Sequence, residues 1–142
     1  MYQRIVVAFD ASDGAQTALR KAAELARALG ATLTLVSCTG RFPGQGALPG
    51  AEDVDPGAAS AARESLEEAA ASLPDVECLL EVIAGSPPGA IVGFAEQNGA
   101  DLIVTGSRGP ALMPQAVLGR VTSAIVSNSP CDVLVVEPEP AP

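Results

Sequence analysis

Histidine and tryptophan are absent from this 142-residue chain, and lysine occurs once, as Lys21. Without histidine, the commonest general base near neutral pH and the commonest metal ligand are both missing. Aromatic residues make up 3% of the chain, with Tyr2 the single tyrosine. A stacking surface for single-stranded nucleic acid is therefore not expected. Positive charge is scarce: eight Lys and Arg stand against seventeen Asp and Glu, a formal charge of -9. Sequence-independent nucleic-acid binding needs a basic face, and the sequence has no basic cluster, so no nucleic-acid partner is predicted. The three cysteines, Cys38, Cys78 and Cys131, form no Cys-x-x-Cys pair, which argues against a zinc site or a disulfide framework. Cys78 and Cys131 read as small buried apolar residues in a reducing compartment. No apolar run approaches the length of a membrane span, and the charged Arg4 and Asp10 around the first run do not make a signal-peptide layout. These absences predict a cytoplasmic protein with no membrane partner.

What is present is enough for one well-filled core. Hydrophobic residues make up 48% of the chain, and the sparse aromatics leave Val, Leu, Ile and Ala to build it. The length fits a single domain over 1–137, with the proline-rich 138–142 as a disordered tail. Ile5 to Phe9 is a continuous apolar run ending in Asp10, as suits a strand buried on both faces of a parallel sheet. Ser12 or Asp13 then caps a helix whose apolar residues, Ala15, Ala18, Leu19, Ala22, Leu25, Ala26 and Leu29, lie on or near one face. Gly30 ends it. Thr32 to Cys38 is a second strand. Thr39 to Gly57, rich in Gly and Pro, is a long loop that either covers a ligand or is a solvated excursion. Ala58 to Ser72 is helical and Glu77 to Ile83 a third strand. A helix starts with Ser86 as cap and Pro87 in its first turn, and Gly99 ends it. Leu102 to Thr105, Arg120 to Ser127 and Val133 to Val136 complete the alternation as strand, helix and strand. Strands alternating with helices predict an α/β domain with one parallel sheet and helices on both faces.

One stretch carries the chemistry. The apolar run Leu102-Ile103-Val104 feeds Thr105-Gly106-Ser107-Arg108-Gly109, and nine residues later come Gly119-Arg120-Val121-Thr122. A strand, a glycine-bearing loop and a helix start make a site for phosphate. Glycine lets backbone N–H groups approach an anion without a Cβ in the way. The first helical turn adds amides without intrahelical acceptors and the positive end of the dipole. This is not a P-loop, because the Gly-x4-Gly-Lys-Ser/Thr pattern does not occur. No second carboxylate pairs with Asp10 to hold a metal, and no base is placed to activate water. Binding is therefore expected over fast catalysis, with slow hydrolysis as the alternative.

The spacing Gly106-x-x-Gly109-x9-Gly119 resembles the nucleotide signature of the universal stress protein family. Ile5-Val6-Val7-Ala8-Phe9-Asp10, Gly99 to Gly109, and Ser129-Pro130-Cys131-Asp132-Val133-Leu134-Val135-Val136 extend the resemblance over almost the whole chain. It implies a flavodoxin- or Rossmann-like sheet of strand order 3-2-1-4-5, with ligand bound where the order reverses between strands one and four. It also implies a stress-associated regulatory protein, ATP as ligand with or without Mg2+, and a homodimer joined along Val133–Val136. By that likeness Ala8, Asp10, Cys38 and Thr105 line the nucleoside end. Asp10 accepts hydrogen bonds from ribose or an adenine edge, or instead caps the following helix. Cys38 contributes its backbone where relatives carry valine. Gly106, Arg108, Gly109, Gly119, Arg120, Val121 and Thr122 surround the phosphates, with Met113 and Pro114 as a lid edge. Thr122 meets a phosphate or bonds to backbone. Arg120 stands where ATP-binding members carry Ser or Thr: it clamps the phosphates or plugs their pocket. In the latter case the protein is a nucleotide-free interaction module.

Overall fold

The computed structural model describes residues 1–39, 56–107 and 119–138. Nine elements alternate along them: β1 (Arg4–Ala8), α1 (Asp13–Leu29), β2 (Thr32–Cys38), α2 (Pro56–Ala71), β3 (Cys78–Ile83), α3 (Gly89–Gln97), β4 (Leu102–Gly106), α4 (Arg120–Asn128) and β5 (Asp132–Val136). The five strands form one parallel sheet in the order β3-β2-β1-β4-β5, as expected. β1 lies at its centre, with Ile5 opposite Leu33 on one side and Leu102 on the other.

The continuous apolar strands are explained by two cores. Ile5, Val7, Leu33, Leu35, Leu102 and Val104 point to one face and meet α1 and α2 through Ala18, Leu19, Ala22 and Leu66. Val6, Val36 and Ile103 point to the other and meet Ile91 and Ala95 of α3 and Ile125 of α4. Successive strand residues face opposite ways, so a strand covered on both sides is apolar at every position. The alanines along α1 let it lie close on the sheet. Leu29, placed by periodicity near the apolar face, is instead exposed and Leu25 half-buried, while Ala23 and Thr17 are buried alongside Ala15, Ala18, Leu19, Ala22 and Ala26.

Capping residues fix where the helices begin and end. Ser12 caps α1 with its hydroxyl, which accepts the Ala15 N–H at 3.2 Å. Gly30, at φ 68°, ends α1 with its own N–H and that of Ala31 returning to the Ala26 carbonyl. Gly99, at φ 65°, follows α3 in the same way, with Ala100 N–H reaching Ala95 O at 3.0 Å. These are left-handed positions that glycine takes without a Cβ clash. Two helix starts differ from the sequence expectation. α2 begins at Pro56 rather than Ala58, using proline's fixed φ at a first-turn position. α3 begins at Gly89, not at Ser86–Pro87. Pro88 occupies its N-cap without a side-chain bond, and Ser86 contributes its carbonyl to Ala90 N–H instead of its hydroxyl. Residues 87–88 form a turn, a role proline fills as readily as a first helical position.

The N-terminal ends of the strands are tied together by side chains. Asp101 accepts from the Gln3 and Arg4 amides at 2.8 and 3.1 Å, and the Tyr2 hydroxyl donates to Asp132 at 2.8 Å. No described helix is long and apolar enough to cross a membrane. Of the expected loop 39–57, residues 40–55 lie outside the described residues, as do 139–142 of the expected tail.

Candidate functional site

Strand order reverses between β1 and β4. The chain leaves β1 for α1 on one face and leaves β4 for α4 on the other, which opens a crevice at the carboxyl ends of the two strands. The two strands pair up to Val7 and Val104. Ala8 and Thr105 come next, half-buried and buried respectively, so these two predicted residues sit together at the crevice floor.

Gly106 is the junction. Its carbonyl accepts the Thr122 hydroxyl at 2.7 Å, and the Thr105 hydroxyl reaches the same oxygen at 3.4 Å. A Cβ at Gly106 would lie 3.1 Å from the Gly14 carbonyl carbon and oxygen in the first turn of α1. Glycine is therefore required here by close approach of two backbones. Gly106 thus touches the start of α1 and is bonded to the first turn of α4. Of the two roles open to Thr122 from sequence, its hydroxyl takes the backbone one. Gly119 is the N-cap of α4, buried, extended at φ -60° and ψ 156°, and without a side-chain cap. The first intrahelical bond runs from Ser123 N–H to Gly119 O at 2.9 Å. The amides of Arg120, Val121 and Thr122 precede it and have no acceptor within the helix. Arg120 is exposed and pairs with no described carboxylate, while Val121 is half-buried against the second core.

Across the crevice, Asp10 is exposed. One of its carboxylate oxygens accepts both the amide of Ser12, at 3.0 Å, and the Ser12 hydroxyl. Asp10 therefore supports the cap residue without being the cap. Its other oxygen has no bond among the described residues. Ala11 between them sits at φ 65°, a left-handed conformation costly for a residue with a Cβ. Cys38 ends β2, one strand over, with Ile83 as its neighbour on β3. Burial pushes its thiol pKa up to about 11, which keeps the sulfur protonated and a poor nucleophile near neutral pH. Arg108, Gly109, Met113 and Pro114 lie outside the described residues.

Two features were not read from sequence. Ser107 is 2% exposed and bonded through all its polar groups. Its burial is set by β5 and α4, distant in sequence, and only the polar residue inside an apolar-to-glycine transition hinted at it. A groove of about 420 Å³ runs along α3, lined by Ile83, Gly85, Ser86, Gly93, Phe94 and Gln97 among others. It contains none of the predicted site residues, and the first-turn amides of α4, which have no acceptor within the helix and lie beside Gly106, are the better chemical argument for a site.

A doubly wound α/β domain with an uncapped helix N-terminus at its switch point is the class this architecture defines. Residues 1–137 match the universal stress protein family. The chain is 33% identical over 138 residues to a universal stress protein of Thermus aquaticus, covering 96% of this chain and 99% of that protein. It is 30% identical over 142 residues to one from Methanocaldococcus jannaschii, covering 96% and 83%. Among solved structures, a universal stress protein in complex with cAMP aligns with a TM-score of 0.67 and 28% identity over 97% of this chain and 98% of that one. A universal stress protein from Archaeoglobus fulgidus in complex with dAMP aligns at 0.70 and 29%, over 94% and 97%. The chain belongs to the universal stress protein family.

Proposed function

We propose that this protein is a stress-associated regulator that binds an adenine nucleotide, ATP, in the crevice above β1 and β4. The observation that carries the reading is the uncapped first turn of α4, held beside Gly106. Three amides there lack intrahelical acceptors, and such a turn favours an anion. Similar proteins whose structures contain cAMP and dAMP support an adenine nucleotide as the source of that anion.

In this reading the spare oxygen of Asp10 accepts from ribose or adenine. Ala8 and Thr105 form the floor, and the Cys38 backbone borders the base. Gly106, Gly119, Arg120 and Val121 flank the phosphates together with Arg108 and Gly109, while Thr122 holds the loop to Gly106. Arg120 offers two parallel donors to a phosphate in place of the hydroxyl usual at that position. Mg2+ would neutralise part of the remaining phosphate charge. The open edge of β5, carrying half-buried Val133, Leu134 and Val135, favours a two-fold homodimer by strand pairing. A cytoplasmic location completes the proposal.

Arg120 also favours a second reading, in which it plugs the pocket of a nucleotide-free interaction module. Titration calorimetry of the protein and its Arg120→Ser variant with ATP and with adenosine separates the two. The clamp predicts ATP binding weakened by about 1.5–3 kcal/mol with adenosine unchanged. Tighter ATP binding by the serine variant supports the plug. No heat with millimolar ATP, and no nucleotide released on denaturing fresh protein, overturns nucleotide binding itself.

A further inference from the structure

Ser107 closes the neck of the glycine loop. Its N–H donates to the Val136 carbonyl at 3.0 Å and its hydroxyl donates to the Glu137 carboxylate at 3.3 Å. Its carbonyl accepts the Gly119 N–H at 2.9 Å. The ends of β4 and β5 and the start of α4 therefore meet in one buried serine. Gly119 is the N-cap of α4, so whatever holds Ser107 also sets where the first-turn amides of α4, which have no intrahelical acceptor, point.

Glu137 is exposed and follows directly on β5. A solvated carboxylate needs no partner to offset burial, so its bond to Ser107 is not required to keep the fold. What the bond does is fix the hydroxyl and side-chain rotamer of a residue whose carbonyl holds Gly119.

We propose that Ser107 and Glu137 form a clasp that positions the first turn of α4 for phosphate, and so couple the end of β5 to the phosphate end of the site. Both are positioning residues, and neither touches the ligand. The inference rests on the nucleotide reading of the crevice for its consequence, but the clasp itself is testable without ligand.

The test is a double-mutant cycle of Ser107→Ala, Glu137→Ala and the pair, with Glu137→Gln as the conservative control. Two readouts are taken: hydrogen exchange of the Gly119 amide in ligand-free protein, and affinity for ATP against adenosine. Each single alanine variant should speed Gly119 exchange and weaken ATP, both by about five-fold, with adenosine unchanged. The double variant should be no worse than either single. Glu137→Gln keeps an oxygen acceptor and should match the parent protein. Unchanged Gly119 exchange in Glu137→Ala, additive effects in the double variant, or Glu137→Gln behaving like Glu137→Ala each overturn the clasp. If the parent protein binds no ATP, the nucleotide reading falls, and the exchange measurement alone still decides the clasp.

Discussion

The first turns of α1 and α4 open at the same end of the sheet, after neighbouring strands, yet they are finished in opposite ways. At α1 the chain supplies its own negative end: Ser12 caps, Asp10 braces Ser12, and Asp13 sits in the first turn. At α4 the cap is Gly119, the first-turn residue is Arg120, and the turn holds no acidic residue. A helix N-terminus attracts negative charge in either case. One is satisfied by its own side chains, and the other has neither a side-chain cap nor an acidic residue in its first turn. On the proposed reading the contrast places the anion at α4 and leaves α1 a structural part, even though both border the crevice.

Giving α4 the finish of α1 breaks the contrast most strongly. Arg120→Glu places a carboxylate in the first turn, as Asp13 does in α1. With the clamp lost and a like charge added, ATP affinity should fall by about 3 kcal/mol, roughly a hundred-fold. The dipole should meanwhile stabilise the folded protein by about 0.3–1 kcal/mol. Calorimetry and thermal melting should thus move in opposite directions; a loss in both would show that Arg120 supports the fold and is not reserved for an anion. Next in size, Gly106→Ala pushes a Cβ against the Gly14 backbone, where neither main chain yields easily. It should cost about 1–3 kcal/mol in urea unfolding, and an unchanged midpoint would mean that the two helix ends are not wedged together there. Smallest is Ser12→Ala, which removes the internal cap of α1. A loss of about 1 kcal/mol in stability is expected, with ATP affinity falling far less than in Arg120→Glu. An equal loss of ATP would place the anion at both helices and end the distinction.

The frame of the protein was legible because its signals are local. Apolar runs marked the strands, alanine periodicity marked α1, and the left-handed glycines Gly30 and Gly99 marked helix ends where they stand. Signals that serve two purposes misled. Ser86-Pro87 has the composition of a helix start and of a turn, and the chain uses it as a turn. The site was legible as a set of positions but not as a set of bonds. Sequence put Thr122 near the loop, but its partner is a carbonyl sixteen residues back. Asp10 was weighed as a cap or a ligand; the cap is Ser12, and Asp10 braces it with one carboxylate oxygen. Ser107 was passed over, since the strand that buries it begins twenty-five residues later and nothing near Ser107 announces that.

The position of β1 bears on how the chain must emerge during synthesis. β1 is made first and becomes the centre of the sheet, but its two sides are completed at very different times. Ile5 meets Leu33 soon after both are made, whereas its other neighbour is Leu102. At a synthesis rate of about 5–20 residues per second, the second edge of β1 waits on the order of five to twenty seconds. Through that interval Val6 and Val7, among the most buried residues of the finished protein, border an unpaired edge. Such an edge is a template for any other strand that arrives first. A chain that stops short of β4 would therefore carry an adhesive half-sheet, and Asp101, which seizes the Gln3 and Arg4 amides, directly precedes the strand that closes it.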